Sequence, residues 1–93
     1  MFVGIVRIEL HLPASRSLKA KRSVVRALKD RIRSRVRASV AEVDHQDLWQ
    51  RASLGATVVS GDHGEVGRML QSIRKLVDAV HEADVMDWEE QVL

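Results

Sequence analysis

The stretch FVGIVRIELHLPASRSLK, residues 2–19, contains the change from strand to helix on which the predicted fold depends. Apolar and charged residues alternate through its first part, which is typical of a half-buried strand over residues 2–12. Pro13 ends this strand, and Ser17 has the side chain of a helix N-cap. Gly4 lies on the apolar face and indicates a close packing contact. The other residues of that face are Phe2, Val6, Ile8, Leu10 and Leu12.

The residues that follow predict a helix over 17–37 and then a hairpin. Apolar residues recur at helical spacing through the predicted helix. Residues 38–45 and 52–60 read as the two strands of the hairpin, because apolar residues such as Ala41 and Val43 alternate with polar ones. The apolar stripe of the helix consists of Leu18, Val25, Leu28, Ile32 and Val36.

A second helix and a fourth strand complete the pattern. Asp62 and Glu65 have the spacing of a capping box, with Asp in place of the usual Ser or Thr. A stripe of apolar residues then runs at helical spacing through residues 66–80. Residues 85–93 predict a strand whose shared face is formed by Met86, Trp88 and Val92.

The order β-α-β-β-α-β predicts an α+β, ferredoxin-like sandwich. Its antiparallel sheet has the strand order 4-1-3-2, and both helices lie on one face. Residues 1–93 are expected to form this single domain. The loop after the first strand, the hairpin and the end of the second helix then meet at one end of the molecule. Three of the four histidines lie at that end: His11, His45 and His81.

The composition restricts the class of protein. The chain has no cysteine, which excludes disulfides and thiol chemistry. No apolar run reaches the ~20 residues of a membrane span, and the first residues lack the layout of a signal peptide. A cytoplasmic protein without a cofactor is expected.

Charge is distributed unevenly along the chain. Residues 1–37 contain eleven basic and two acidic residues, a net charge of +9, whereas the remainder contains four basic and eleven acidic residues, a net charge of −7. This asymmetry favours an anionic partner for the first part. The alternative is that the two parts pair with each other, within or between subunits.

Six basic residues of the first predicted helix recur three or four positions apart and therefore share one narrow face. Such a face suits the phosphates of an RNA backbone, which arginine binds with two parallel hydrogen bonds. The alternatives are an acidic protein partner, self-association or a solvated surface. Arg16, at the start of the helix, adds a further anion contact. The six residues are Lys19, Arg22, Arg26, Lys29, Arg33 and Arg37.

The segment AEVDHQDLWQRASLG, residues 41–55, combines carboxylates, a histidine, a tryptophan and an arginine. It is interpreted as a hairpin connection closed by turn caps and by Trp49, as a recognition loop, or as a metal site at the hairpin edge. Alternation along a regular strand would direct Asp44 and His45 to opposite faces. The candidate edge consists of His11, Asp44, His45, Asp47, Trp49 and Arg51.

The open face of the sheet is a poor match for an RNA-recognition motif, which stacks bases on aromatic residues. No aromatic residue is predicted on that face, which carries several carboxylates. The residues expected there are Arg7, Glu9, His11, Glu42, Asp44, Ser53 and Thr57.

The motif SLKAKR after a first strand, followed by SVAEVDHQDLWQRASLG, resembles the YlxP-like family of small bacterial proteins, a domain of unknown function. The resemblance extends over nearly the whole chain and implies a ferredoxin-like fold. Genes of that family often lie beside genes for translation initiation and ribosome maturation, which implies a role near the ribosome. The family supplies no catalytic residues to transfer.

Together these patterns favour a non-enzymatic protein that binds RNA or a ribosomal component through the first helix. The second hypothesis is a protein-interaction module that forms a homo-oligomer through the edge of the second strand or the open sheet face. The third is a weak metal-dependent enzyme at the hairpin edge.

Overall fold

The computed structural model describes residues 1–93 and contains a four-stranded antiparallel sheet with two helices. The sheet order is β2-β3-β1-β4, which is the predicted order 4-1-3-2 read from the other edge. That prediction is confirmed. The elements are β1 (Phe2–His11), α1 (Leu18–Val36), β2 (Ser39–Asp44), β3 (Arg51–Ser60), α2 (His63–Asp78) and β4 (Asp84–Val92).

Both helices cover the same face of the sheet. Helix α2 packs on β1, β3 and β4, while α1 packs against α2 and β2. Alternate residues of the two central strands are buried beneath them, including Val6 and Ile8 of β1 and Leu54 and Ala56 of β3. Each fully buried aliphatic side chain contributes roughly 1.5–3 kcal/mol, so this single core stabilises the arrangement.

Gly4 marks the predicted close contact between β1 and α2. A Cβ atom at this position would lie 2.7 Å from Val66 Cγ1 and 2.9 Å from Val58 Cγ2. Only glycine lets the helix approach the strand this closely.

Both helices begin at the predicted caps. The Ser17 hydroxyl accepts a hydrogen bond from the Ala20 amide at 3.0 Å, and Asp62 Oδ1 accepts one from the Gly64 amide at 2.9 Å. The reciprocal half of the predicted capping box is absent: Ser60 Oγ, and not Glu65, accepts the Asp62 amide at 3.0 Å.

The structure overturns the predicted facing of residues in β2, which also contains a β-bulge. The register shifts between Glu42 and Asp44, with Val43 as the extra residue. Val40 and Glu42 pair with core residues of β3 and face the helices, whereas Ala41 and Val43 lie on the open face. Assigning Glu42 to the open face was therefore wrong.

A second bulge changes the predicted face of β4. The register shifts where β1 passes from Glu9 to Leu10, so Met86 is the extra residue. Val85 and Trp88 pack against the core, and Met86 is 57% exposed. The prediction that Met86 and Trp88 share a face was wrong because the bulge interrupts the alternation.

The predicted meeting of loops at one end is confirmed. His11, at the end of β1, pairs with Arg51 of β3 and Asp84 of β4. At the other end His63 contacts Phe2 edge to face, with ring centroids 5.2 Å apart. Neither helix is long and apolar enough to cross a membrane.

Candidate nucleic-acid interface

The basic face of α1 is a row of exposed cations along a helix of about 28 Å, at 1.5 Å per residue. No acidic residue occupies the first turn of α1. Four of the predicted contacts, Lys19, Arg22, Arg26 and Lys29, form no ion pair, and only Lys29 is half-buried. We call these four residues the basic row.

Arg33 belongs to the same face but is held by the protein. Its Nη2 donates a hydrogen bond to the Val40 carbonyl at 2.8 Å, and its Nη1 lies 3.5 Å from Asp30 Oδ1. This contact occupies a backbone acceptor of β2, which is an edge strand of the sheet. Arg33 therefore ties the basic face of α1 to the sheet edge.

Arg37, the last predicted contact, lies beyond the helix. It is the C-cap with a left-handed φ of 58°, and its amide donates to the Arg33 carbonyl at 3.1 Å. Together with Arg35 and Arg68 of α2, it lines a hollow of about 520 Å³ that also contains Glu65. Arg37 thus lies in a second cationic area between the two helices.

Lys21 is the principal residue that the sequence interpretation missed. Its side chain is completely buried. The Nζ atom lies 2.8 Å from Glu42 Oε2 and 2.7 Å from the His45 carbonyl, with the carbonyls of Gln46 and Arg51 at 3.1 and 3.3 Å. One ammonium group therefore organises the turn between β2 and β3.

The burial of residue 21 could be predicted from the sequence. Residue 21 lies three positions after Leu18 and four before Val25, within the apolar stripe of the helix. The charge of Lys21, by contrast, favours a place among the exposed basic residues. A buried ammonium requires acceptors, and the carboxylate and carbonyl groups of the hairpin supply them.

Gln50 fastens the hairpin turn to the loop between β1 and α1. Its Nε2 donates to the carbonyls of Pro13 and Ser15, at 3.1 and 3.3 Å. The Leu12 amide donates to the Gln50 carbonyl at 2.9 Å. Residues 45–51 are thus held from two sides, by Lys21 and by this loop.

The structure divides the predicted recognition edge into two groups. The first lies on the open sheet face, where Arg7 Nε donates to Glu9 Oε1 at 2.9 Å and the Ser53 hydroxyl donates to Glu9 Oε2. Asp44 and His45 join this group: Arg7 Nη2 lies 3.7 Å from Asp44 Oδ2, and His45 Nε2 lies 3.9 Å from Glu9 Oε2.

Strand β2 ends at Asp44, and His45 adopts a left-handed φ of 62°. This backbone change places the His45 ring beside Asp44, with His45 Nδ1 3.9 Å from Asp44 Oδ1. The expectation that these two residues face opposite sides was therefore wrong.

Hydrogen bonding within this group perturbs two ionisable side chains. The bond from the Ser53 hydroxyl is the main cause of a lowered pKa at Glu9, and Arg7 adds to it against the opposing effect of partial burial. The bond to Glu9 in turn raises the pKa of Arg7. Both side chains are therefore charged near neutral pH.

The second group surrounds Trp49 at the end of the sandwich. Trp49 and Arg51 line a hollow of about 410 Å³, together with Arg16 from the loop before α1. The predicted anion contact Arg16 therefore lies beside the hairpin turn.

His11 and Asp47 do not join a common site with the other candidates. Asp47 is exposed in the turn, and His11 is half-buried at the end of β1. No group of three or more histidine, aspartate or glutamate side chains in the chain is arranged to hold a metal ion. The geometry gives no support to a metal site at the hairpin edge.

The open sheet face also carries an apolar hollow of about 470 Å³. Gly55 lies in this region, where a Cβ atom would be 3.0 Å from Val43 Cγ1. The exposed apolar surface here is formed mainly by Ile5, Ala41 and Val43.

Comparison with known proteins shows similarity in both sequence and fold. The chain is 29% identical over 82 residues to "Uncharacterized protein YlxP" of Bacillus subtilis (strain 168). The aligned residues cover 88% of this chain and 89% of the relative.

Two solved structures share the fold at low sequence identity. One, "De novo designed protein Foldit4", has a TM-score of 0.57 at 9% identity and covers 98% of this chain and 96% of its own. The other, a de novo designed protein with a ferredoxin fold, has a TM-score of 0.56 at 13% identity, with coverages of 99% and 85%. Both likenesses concern the fold alone.

The sequence model of one family, described as "Protein of unknown function (DUF503)", matches residues 3–90. With the YlxP relative, this match confirms the resemblance carried by the SLKAKR and AEVDHQDLWQR motifs. The chain belongs to the DUF503 family.

Proposed function

We propose that this protein is a non-enzymatic, cytoplasmic RNA-binding protein that contacts the phosphates of RNA, including ribosomal RNA, through the basic row of α1. The observation that carries the proposal is the absence of acidic partners along this row. Only two cations of α1, Lys21 and Arg33, form ion pairs.

The unpaired cations of the basic row repel one another. Like charges three and four residues apart on a helix repel one another and reduce its stability. An anionic backbone placed along Lys19, Arg22, Arg26 and Lys29 would relieve that repulsion and release its own counterions. The family resemblance, which implies a role near the ribosome, points in the same direction.

The opposite side of the molecule is less suited to RNA. On the open sheet face Arg7 is paired with Glu9, and Glu89 is its neighbour across the sheet. That face has carboxylates and no aromatic side chain for stacking, so the helix is the better candidate.

Replacement of Arg22, Arg26 and Lys29 by Gln tests the proposal. Glutamine preserves helix propensity, so the fold should survive. The affinity for RNA should fall, and the slope of log affinity against log salt should flatten by about 2–3 units. Binding titrations at several salt concentrations provide the measurement.

The matched control replaces Arg31, Arg35 and Arg68 by Gln, which removes the same charge from other exposed positions. Arg35 and Arg68 line the hollow between the helices, away from the basic row. This control should keep most of the wild-type salt slope. The proposal fails if both variants bind equally, or if the wild type shows no salt-dependent binding to RNA while it binds an acidic peptide of equal charge.

The second candidate function is that of a protein-interaction module, which forms a homo-oligomer through the open sheet face. The apolar hollow around Ile5, Ala41 and Val43 favours that face over the β2 edge. At the edge, Arg33 already occupies the Val40 carbonyl. Edge strands blunted by a covering side chain and a bulge pair poorly with another chain.

A further inference from the structure

We infer that the hollow beside Trp49 binds one unpaired nucleotide of an RNA, with the base stacked on Trp49 and the phosphate held by Arg16 and Arg51. This inference deepens the proposed function, on which it rests. It assigns a specific site to the turn of the hairpin, separate from the basic row of α1.

Trp49 presents a free aromatic face. The residue is 53% exposed, and the neighbouring Leu48 is 47% exposed. The other tryptophan, Trp88, is half-buried, and the Arg74 guanidinium lies 4.9 Å from its ring centroid. Trp49 has no such partner. An exposed aromatic ring beside cations is the usual platform for an unstacked base.

Arg51 supplies an independent indication of an anionic ligand. Its Nε is buried and has no hydrogen-bond partner, the only buried side-chain nitrogen or oxygen atom of the chain in this condition. The Arg51 side chain is half-buried, and its guanidinium makes no hydrogen bond or ion pair with the protein, so its terminal N–H groups are available to a phosphate.

The size and charge of the hollow agree with this ligand. Its volume of about 410 Å³ lies within the range of ~300–1,000 Å³ that is common for small-ligand sites. Two of its lining residues are arginines and none is a carboxylate. The hollow between the helices, by contrast, contains Glu65.

The turn is held in place before any ligand arrives. Lys21 binds the carbonyls of His45, Gln46 and Arg51, and Gln50 binds those of Pro13 and Ser15. A ring presented on a fixed turn loses little conformational freedom on binding, which favours affinity. Arg16 lies just before the start of α1, so a strand lying on the basic row can reach the hollow.

The test compares an unstructured single-stranded RNA of about 10 nucleotides with the duplex formed by that RNA and its complement. Trp49→Leu should lower the affinity for the single strand by about 5- to 150-fold and leave the affinity for the duplex unchanged. Trp49→Phe should retain most of the affinity. Trp88→Phe, the matched control, should bind both RNAs as the wild type does.

Arg51→Gln separates a binding role from a structural one. It should reduce the salt slope for the single strand by about 0.7 units. It should leave the melting temperature nearly unchanged, because the Arg51 side chain forms no hydrogen bond or ion pair with the protein that would be lost. A large fall in melting temperature would show a structural role and overturn the assignment of Arg51.

The outcomes distinguish this site from the proposed function. If Trp49→Leu binds the single strand as well as the wild type, or loses both RNAs equally, the nucleotide site is wrong, while the basic row can still account for RNA binding. If neither RNA binds in a salt-dependent manner, the proposed function and the nucleotide site are both wrong.

Discussion

Lys21 is the residue on which the conformation of the hairpin turn depends most. Its ammonium group is completely buried and binds a carboxylate and three carbonyl groups. Breaking a buried ion pair on one side is far more costly than losing an exposed one. The two lysines of SLKAKR therefore have different roles: Lys19 faces solvent, and Lys21 faces the protein interior.

Replacing Lys21 with Met should destabilise the protein by roughly 3–5 kcal/mol. Thermal unfolding should show a fall in Tm on the order of 15–30 °C for a domain of this size. Lys19→Met, at the exposed neighbour, should change Tm little.

Adding Glu42→Leu to Lys21→Met should restore part of the lost stability, because the carboxylate is then no longer buried without a partner. The hydrogen bonds from Lys21 to the turn carbonyls are still missing in the double variant, so recovery should be incomplete. Equal melting temperatures for Lys21→Met and Lys19→Met would contradict this account of the turn.

At the scale of elements, replacing Gly4 or Gly67 with alanine should change the stability of the protein in opposite directions. Gly4→Ala places a Cβ atom 2.7 Å from Val66 Cγ1 and should destabilise by about 1–3 kcal/mol, the usual effect of overpacking. Gly67 lies on the exposed side of α2, with nothing within 4 Å of an added Cβ. Gly67→Ala should therefore stabilise by about 0.5–1 kcal/mol.

Urea unfolding of both variants checks this pair. The midpoint of urea unfolding should fall for Gly4→Ala and rise for Gly67→Ala. Because both variants make the same substitution, a general effect of alanine cannot explain opposite shifts. A Gly4→Ala variant as stable as the wild type would mean that α2 can withdraw from β1 without loss.

Periodicity predicted the type and order of the elements because their apolar stripes are long. The interior of β1 alternates without interruption, and α2 keeps its stripe throughout. The error of facing at Met86 comes from a bulge, whereas Glu42 lies before the bulge of β2 and faces the helices, where its carboxylate pairs with Lys21. A bulge adds one residue whose presence depends on the partner strand, so alternation within one strand cannot reveal it.

The candidate site was predictable only in part. Charge spacing identified the basic row, since its members share one helix face. The joining of Arg16 to Trp49 and Arg51 depends on how two loops meet, which local patterns do not specify. The half-burial of Arg51, and its lack of a partner, appears only in the folded chain.

At the scale of the whole molecule, the apolar part of the open sheet face predicts self-association. Light scattering at high micromolar concentration should give a mass above that of a monomer. Val43→Lys places a charge in the hollow and should yield monomers, because desolvating that charge in an interface is costly.

Met86→Lys, at the exposed bulge of β4, is the matched control and should leave the mass unchanged. A wild type that is monomeric at this concentration would exclude the homo-oligomer and leave RNA binding as the leading proposal.

The anchoring of the turn by Lys21 also has a consequence for the order of folding. Lys21 lies 21 to 30 positions before its partners in the chain, so these bonds form only after a long loop has closed. Strands β2 and β3 can pair locally, but residues 45–51 reach their final conformation only after α1 has docked. The surface around Trp49 is thus completed late, and a chain whose first helix is misplaced would not display it.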